Sequence, residues 1–282
     1  MKTKHLRLMQ RAYVILFFCF MYLPIAYMIV FSFNQSKGYA LFTGFTLKWY
    51  TSLLHNSAIL SALRVSLEVA LISAVIATVL GTAASLGIAS MSRKSRLVIT
   101  NITYIPVVNP EIITGISLML LFVAYQRFAE GVSWLPDTIM GMPTLLIAHI
   151  AFNVPYVIFN VTPKLKQLDI KLYEAALDLG CDPRQAFFKV ILPEISSAIL
   201  SAFLICLTYS IDDFMISYFN CGTVETLPIA IYSMTRKKVS PEIYALSTIM
   251  FVVILTIILI SNAMESREYR RDQKALRGED VK

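Results

Sequence analysis

The chain has 282 residues, of which 57% are hydrophobic and only 15% charged, a balance outside that of soluble domains. A net charge of +7 does not make it a nucleic-acid binder, because its basic residues gather in clusters between long uncharged runs. A backbone facing lipid must satisfy its own hydrogen bonds, which favours helices, and the short alternating pattern of an outer-membrane barrel is missing. The expectation is an all-α polytopic membrane protein.

Six transmembrane helices are predicted, at about 12–33, 63–91, 97–126, 138–162, 193–219 and 242–264, in one transmembrane domain spanning 1–282. Each is near or above the roughly 20 residues that cross about 30 Å of hydrocarbon. Lys2, Lys4, Arg7 and Arg11 precede the first. Its apolar run is too long for a cleavable leader and closes on no small-residue cleavage site, so it reads as a retained signal anchor. The following segment holds the aromatic stretch Phe42 to Tyr50. There Trp49 has two readings, an anchor at headgroup depth or a contact with an incoming substrate or its delivery protein.

The second span is rich in small residues, among them Ala70, Ser73, Ala74, Ala77, Gly81 and Ser85, which place it inside the bundle. Arg64 and Glu68 open it at a spacing that pairs them on one helix face. The third contains Pro106 and Pro110, so a kink or break is expected; in transporters such breaks often mark where backbone meets substrate. Glu111 follows, about 15 residues beyond Arg96 and so roughly mid-membrane. His149, in the fourth span, reads as a hydrogen-bonded interior histidine and not as a ligand.

Lys164, Lys166, Lys171, Arg184 and Lys189 fill the loop at about 163–192. The positive-inside rule puts this loop and both termini in the cytoplasm, with anionic lipid as a contact. Within it Asp169 is a plausible N-cap for a short helix, Gly180 supplies the freedom to leave that helix, and Pro193 opens the fifth span. The spacing is Glu174-Ala175-Ala176, three residues, Gly180, nine residues, Val190, then Leu192-Pro193. It resembles the EAA loop of ABC-importer permeases, with Val190 where that family usually carries Ile. The resemblance implies a coupling helix seated in a groove of an ATPase subunit, with Glu174, Ala175, Ala176, Gly180, Leu192 and Pro193 as the coupling residues.

Asp212 and Asp213 lie about 19 residues past Pro193, roughly 28 Å along the helix and near the outer face. A bare carboxylate in hydrocarbon costs several kcal/mol, so these groups and Glu111 should face a bundle interior or a wet cavity. Apart from Arg64, lysine and arginine are scarce in the embedded parts, so the carboxylates read as unpaired within the chain. That suits a cationic substrate; pairing with a second permease subunit, or exposure of the Asp pair at the outer surface, stays open. Neighbours pointing about 100° apart on one helix do not make an aspartyl-protease dyad. No glycine-rich loop ends in Gly-Lys-Ser or Gly-Lys-Thr, so the chain holds no ATPase of its own. Cys19, Cys181, Cys206 and Cys221 have no metal-ligand spacing, and no catalytic or metal constellation appears.

Further stretches narrow the resemblance: Phe45 to Tyr50, Pro110-Glu111-Ile112, Ser210-Ile211-Asp212-Asp213-Phe214, Leu227 to Met234, and Val239-Ser240-Pro241-Glu242. Across nearly its whole length the chain resembles the second permease subunits of spermidine/putrescine ABC importers. This implies the six-helix fold of type I ABC importer permeases, like those for methionine and maltose, in a bacterial cytoplasmic (inner) membrane. It implies as partners a homologous permease in a heterodimer, two ATPase subunits that bind ATP and Mg, and an extracytoplasmic polyamine-binding protein. No cofactor belongs to this chain, and no nucleic acid. A substrate path through Asp212, Asp213, Glu111, Trp49, Ser210 and Tyr232 follows, with Glu111 where the family usually has Asp. The expected function is ATP-driven polyamine import. The alternatives are the same machine carrying iron, an amino acid or an opine-like solute, and a secondary transporter, for which the EAA spacing would have no reason.

Overall fold

The structure, a computed structural model, describes residues 2–38, 41–130, 139–237 and 241–276. Thr138, at the expected start of the fourth span, and Val239-Ser240 lie outside the described residues. Among those described, the fold is built of α1 (Lys2–Phe31), α2 (Lys48–His55), α3 (Ser57–Ser90), α4 (Arg93–Val108), α5 (Glu111–Ala129), α6 (Met142–Gln167), α7 (Ile170–Asp178), α8 (Pro183–Ala186), α9 (Leu192–Asp212), α10 (Met215–Asn220), α11 (Leu227–Lys237) and α12 (Pro241–Leu276). The one extended pairing among them is an isolated bridge between Asn34 and Phe45. Among the described residues six segments are long and apolar enough to cross a membrane: Met9–Phe31, Ser57–Ser90, Glu111–Ala129, Met142–Gln167, Pro183–Asp212 and Pro241–Ile260.

Two of these differ from the expected boundaries for reasons of backbone chemistry. Asn109 and Pro110 are both extended, ending α4 before α5 starts at Glu111. Pro110 carries no N–H and disfavours a helical residue before it, so the third span is α5 alone, with α4 a separate helix leading into it. The fifth span begins earlier than Pro193 and ends at Asp212. A π turn over Phe187–Ile191 joins α8 to α9, with the Leu192 N–H donating to the Phe187 carbonyl. The wider turn accommodates Pro193, which has no N–H for an ordinary helical bond.

The chain forms two compact units. The first comprises the described parts of Met1–Leu60 and Ile231–Ile254. In it the Asn34 side chain organises the segment after α1, donating to the Leu41 carbonyl at 2.9 Å and accepting from the Thr43 N–H at 2.9 Å. Phe33 stacks on both Phe45 and Tyr50. The Ser52 hydroxyl reaches Glu242 at the start of α12, at 2.6 Å.

The second unit comprises the described parts of Ser61–Ala230 and Leu255–Lys282, and α6 packed on α9 is its centre. Ala74, Val157, Val161, Ile191, Ile195, Ala202 and Cys206 form its main apolar core. The small residues of α3 let it approach α6 at backbone distance: a Cβ on Gly81 would lie 2.5 Å from the Val157 Cβ. A polar seam crosses the same helices. Asn153 donates to the Ser210 hydroxyl at 2.8 Å, and Ser210 lies 3.3 Å from Ser73.

Candidate functional site

An acidic cluster forms where two helices are interrupted. Glu111 opens α5 directly after the Pro110 break, and Asp212 is the last residue of α9. Asp213, extended, follows it before α10 begins. The three carboxylates lie within Coulombic range of one another. Chain breaks bring them together, since each sits where a helix starts or stops.

Their surroundings differ sharply. Glu111 and Asp212 are exposed, whereas Asp213 is 7% exposed. Asp213 caps α10: its two carboxylate oxygens accept the Ile216 N–H at 3.2 Å and the Ser217 N–H at 2.7 Å. His149 Nε2 lies 3.6 Å from the same carboxylate and 3.0 Å from the Ser217 hydroxyl. The expectation that all three carboxylates are unpaired within the chain is therefore corrected for Asp213. The free N–H groups of a helix's first turn draw in a carboxylate, and Asp213, one residue before the N-cap Phe214, reaches them. Among the described residues no lysine or arginine forms an ion pair with any of the three; Arg64 pairs with Glu68 at 2.7 Å.

Aromatic rings that sequence reasoning did not single out stand beside the cluster. Phe152 and Tyr156 on α6 lie 5.2 Å apart, and Tyr156 and Tyr209 on α9 lie 4.9 Å apart with their planes at 80°. Tyr156 is within electrostatic reach of Glu111. A signal existed in the spacing. Phe152 and Tyr156 are four apart on one face of the fourth span, and Tyr209 is one turn before Asp212.

The other expected path residues are placed as follows. Ser210 is buried in the polar seam already described, bonded to Asn153. Trp49 and Tyr232 belong to the first unit. Trp49 is buried and its indole N–H donates to the Asn34 carbonyl at 2.7 Å, with the Lys48 ammonium 5.8 Å from the ring centre. Tyr232, on α11, is 40% exposed and carries the Arg236 guanidinium 5.7 Å from its ring centre. Among the described residues no group of three His, Cys, Asp or Glu side chains is arranged to hold a metal ion.

The coupling-loop residues form a closed helical unit. The Asp169 carboxylate accepts the Lys171 N–H and starts α7. At the other end the Gly180 N–H donates to the Leu177 carbonyl and the Cys181 N–H to the Ala176 carbonyl. That pair of bonds is a Schellman motif, and Gly180, with φ +89°, occupies its left-handed position. Ala176 is buried and Tyr173 packs against the core that holds Ile191 and Ile195. Glu174 and Ala175 are exposed, and Leu172 and Leu179 expose large apolar side chains. Leu172, Ala175 and Leu179 fall at i, i+3 and i+7, one outward stripe running off the end of the helix.

Six described segments long and apolar enough to cross a membrane mark a multi-pass membrane protein. The chain belongs to the family of binding-protein-dependent transport system inner membrane components, whose sequence profile matches residues 77–271. It is similar to the putrescine transport system permease protein PotI of Escherichia coli (strain K12), with 36% identity over 272 residues, 94% of this chain and 95% of that one. It is also similar to the spermidine/putrescine transport system permease protein PotC of Shigella flexneri, with 33% identity over 277 residues, 98% and 99% of the two chains. In fold it matches a chain of a bacterial ABC transporter that imports the acidic polysaccharide alginate. The TM-score is 0.72 at 18% identity, over 94% of this chain and 96% of that one. At that identity the likeness shows the fold alone, which is that of a type I ABC importer permease.

Proposed function

We propose that the chain is the non-catalytic translocation subunit of an ATP-driven importer that carries polyamines into the bacterial cytoplasm. Its partners in this reading are a homologous permease, two ATPase subunits that hold ATP and Mg, and an extracytoplasmic binding protein that delivers the cargo. Both termini and α7 face the cytoplasm, in keeping with the basic residues around them.

The observation that carries the cargo assignment is the pair of exposed carboxylates, Glu111 and Asp212, backed by Asp213 and opposed by no described lysine or arginine. A carboxylate and an ammonium 4 Å apart attract by about 4 kcal/mol at an effective dielectric constant near 20. Such an attraction admits a polycation, and water screening keeps it weak enough for release. PotI and PotC, at 36% and 33% identity, bear putrescine and spermidine/putrescine in their names, which supports the same cargo class here. In this path Glu111 and Asp212 meet the cargo, while Asp213 and Ser210 set the backbone and helix spacing behind them. Trp49 and Tyr232 are proposed contacts for the cargo or its delivery protein.

Coupling runs through α7. The outward stripe of Leu172, Ala175 and Leu179, with Glu174 beside it, docks on an ATPase subunit. Tyr173, Phe187 and the buried Ile191 and Ile195 form one packed block, so a push on α7 reaches the base of α9. Gly180 closes α7, and Leu192 and Pro193 carry the push into α9. Helix α9 is 21 residues, about 30 Å, and its far end is Asp212. Motion at the loop therefore moves a cargo carboxylate.

The test is uptake of labelled spermidine and putrescine by cells lacking this chain but holding its partners. Wild type restores uptake, and Glu174→Arg at equal membrane level does not. Failure of wild type to restore either cargo overturns the polyamine reading.

A further inference from the structure

We propose that Tyr156 and Tyr209, backed by Phe152, form an aromatic subsite that takes an alkylammonium segment of the cargo beside Asp212. The proposal rests on the polyamine reading and extends it to a source of selectivity. Carboxylates alone attract any cation, including the small hydrated metal ions that greatly outnumber an organic cargo. Aromatic faces favour a weakly hydrated alkylammonium with methylenes next to it, and so discriminate where charge does not.

The three rings form a graded wall. Phe152 is buried, Tyr156 is half-buried and Tyr209 is 42% exposed, so the series runs from the core to open surface. Tyr156 and Tyr209 meet edge to face, and the exposed part of Tyr209 is open to a cation. Tyr209 lies one helical turn before Asp212, at the end of α9 that reaches the acidic cluster.

The test uses the whole importer in proteoliposomes, with its ATPase subunits and cargo-loaded binding protein, and measures labelled spermidine moved per ATP hydrolysed. Because the binding protein delivers the cargo, a weakened subsite lets cargo slip back and leaves ATP hydrolysis running. Tyr209→Leu and Tyr156→Leu should each lower spermidine moved per ATP about tenfold, between the sizes of an exposed and a desolvated cation–π contact. Phenylalanine at either position should restore most of it, because the ring and not the hydroxyl does the binding. Should a leucine variant fail to assemble, ring-fluorinated phenylalanines at 209 keep the shape and weaken the π face. Spermidine moved per ATP should then fall stepwise with each added fluorine. Wild-type ratios in both leucine variants, or no response to fluorination, overturn the subsite while leaving polyamine import standing. A wild-type importer that moves no spermidine overturns the polyamine reading, and the subsite falls with it.

Discussion

His149 Nε2 and the carboxylate of Asp213 lie 3.6 Å apart in the interior, and both side chains converge on Ser217 in the first turn of α10. This joins α6 to α10 by polar contacts at the point where α9 ends. Removing the cap by Asp213→Ala leaves the Ile216 and Ser217 N–H groups without their acceptor. The expected loss is about 1–2 kcal/mol of stability. Asp213→Asn and Asp213→Ser keep an acceptor oxygen and should lose less. Thermal unfolding of the purified complex checks the order Ala below Ser and Asn. Asp212→Asn, one residue away and exposed, should leave that midpoint where it is.

Neutralising the exposed carboxylates probes cargo attraction. Glu111→Gln and Asp212→Asn should each lower the initial rate of polyamine uptake about tenfold or more, with complex assembly unchanged. Because the two groups are within Coulombic range, the double variant should lose less than the product of the single losses. Wild-type uptake should also fall with rising ionic strength, since exposed charges are screened within about 10 Å at 0.1 M salt. Initial rates over a salt series, for four proteins, decide both points.

The spans and the α7 exit were legible because they depend on composition and on single residues with special backbones. Runs of apolar residues gave the six crossings, Pro110 the break, and Gly180 the end of α7. What escaped was set by packing between segments far apart in the chain. Asp212 and Asp213 are neighbours with identical side chains, yet α9 ends between them, so one is exposed and the other caps a helix. Tyr156 and Tyr209 meet only because α6 lies on α9. Trp49, open to two readings from its sequence, is buried with its N–H committed to Asn34, a bond that no local pattern announces.

Gly180 tests the coupling unit without replacing a residue of its docking stripe. A Cβ there meets no atom within 4 Å, so the main effect of Gly180→Val is backbone strain at φ +89°. A left-handed conformation costs an ordinary residue about 1–2 kcal/mol, and a β-branched one more. The Schellman bonds should open and α7 should fray at its end. The expected result is ATP hydrolysis that continues while uptake falls, read as cargo moved per ATP. An unchanged ratio would mean that α7 needs no fixed end to transmit force.

Gly81 carries the sharpest steric prediction. A Cβ there would stand 2.5 Å from the Val157 Cβ and 3.1 Å from the Val154 carbonyl oxygen, both fixed parts of α6. Gly81→Ala should therefore force α3 away from α6, at a cost of about 1–3 kcal/mol, and lower the amount of assembled complex. Trimming the neighbour discriminates the cause. Val157→Ala removes the Cγ1 clash at 2.7 Å but keeps the closer Cβ and should rescue Gly81→Ala little, whereas Val157→Gly removes both and should recover more of the loss. Recovery stays partial because the Val154 carbonyl remains. Equal rescue by Ala and Gly would place the conflict in the outer methyls of Val157 and not in the approach of the two backbones.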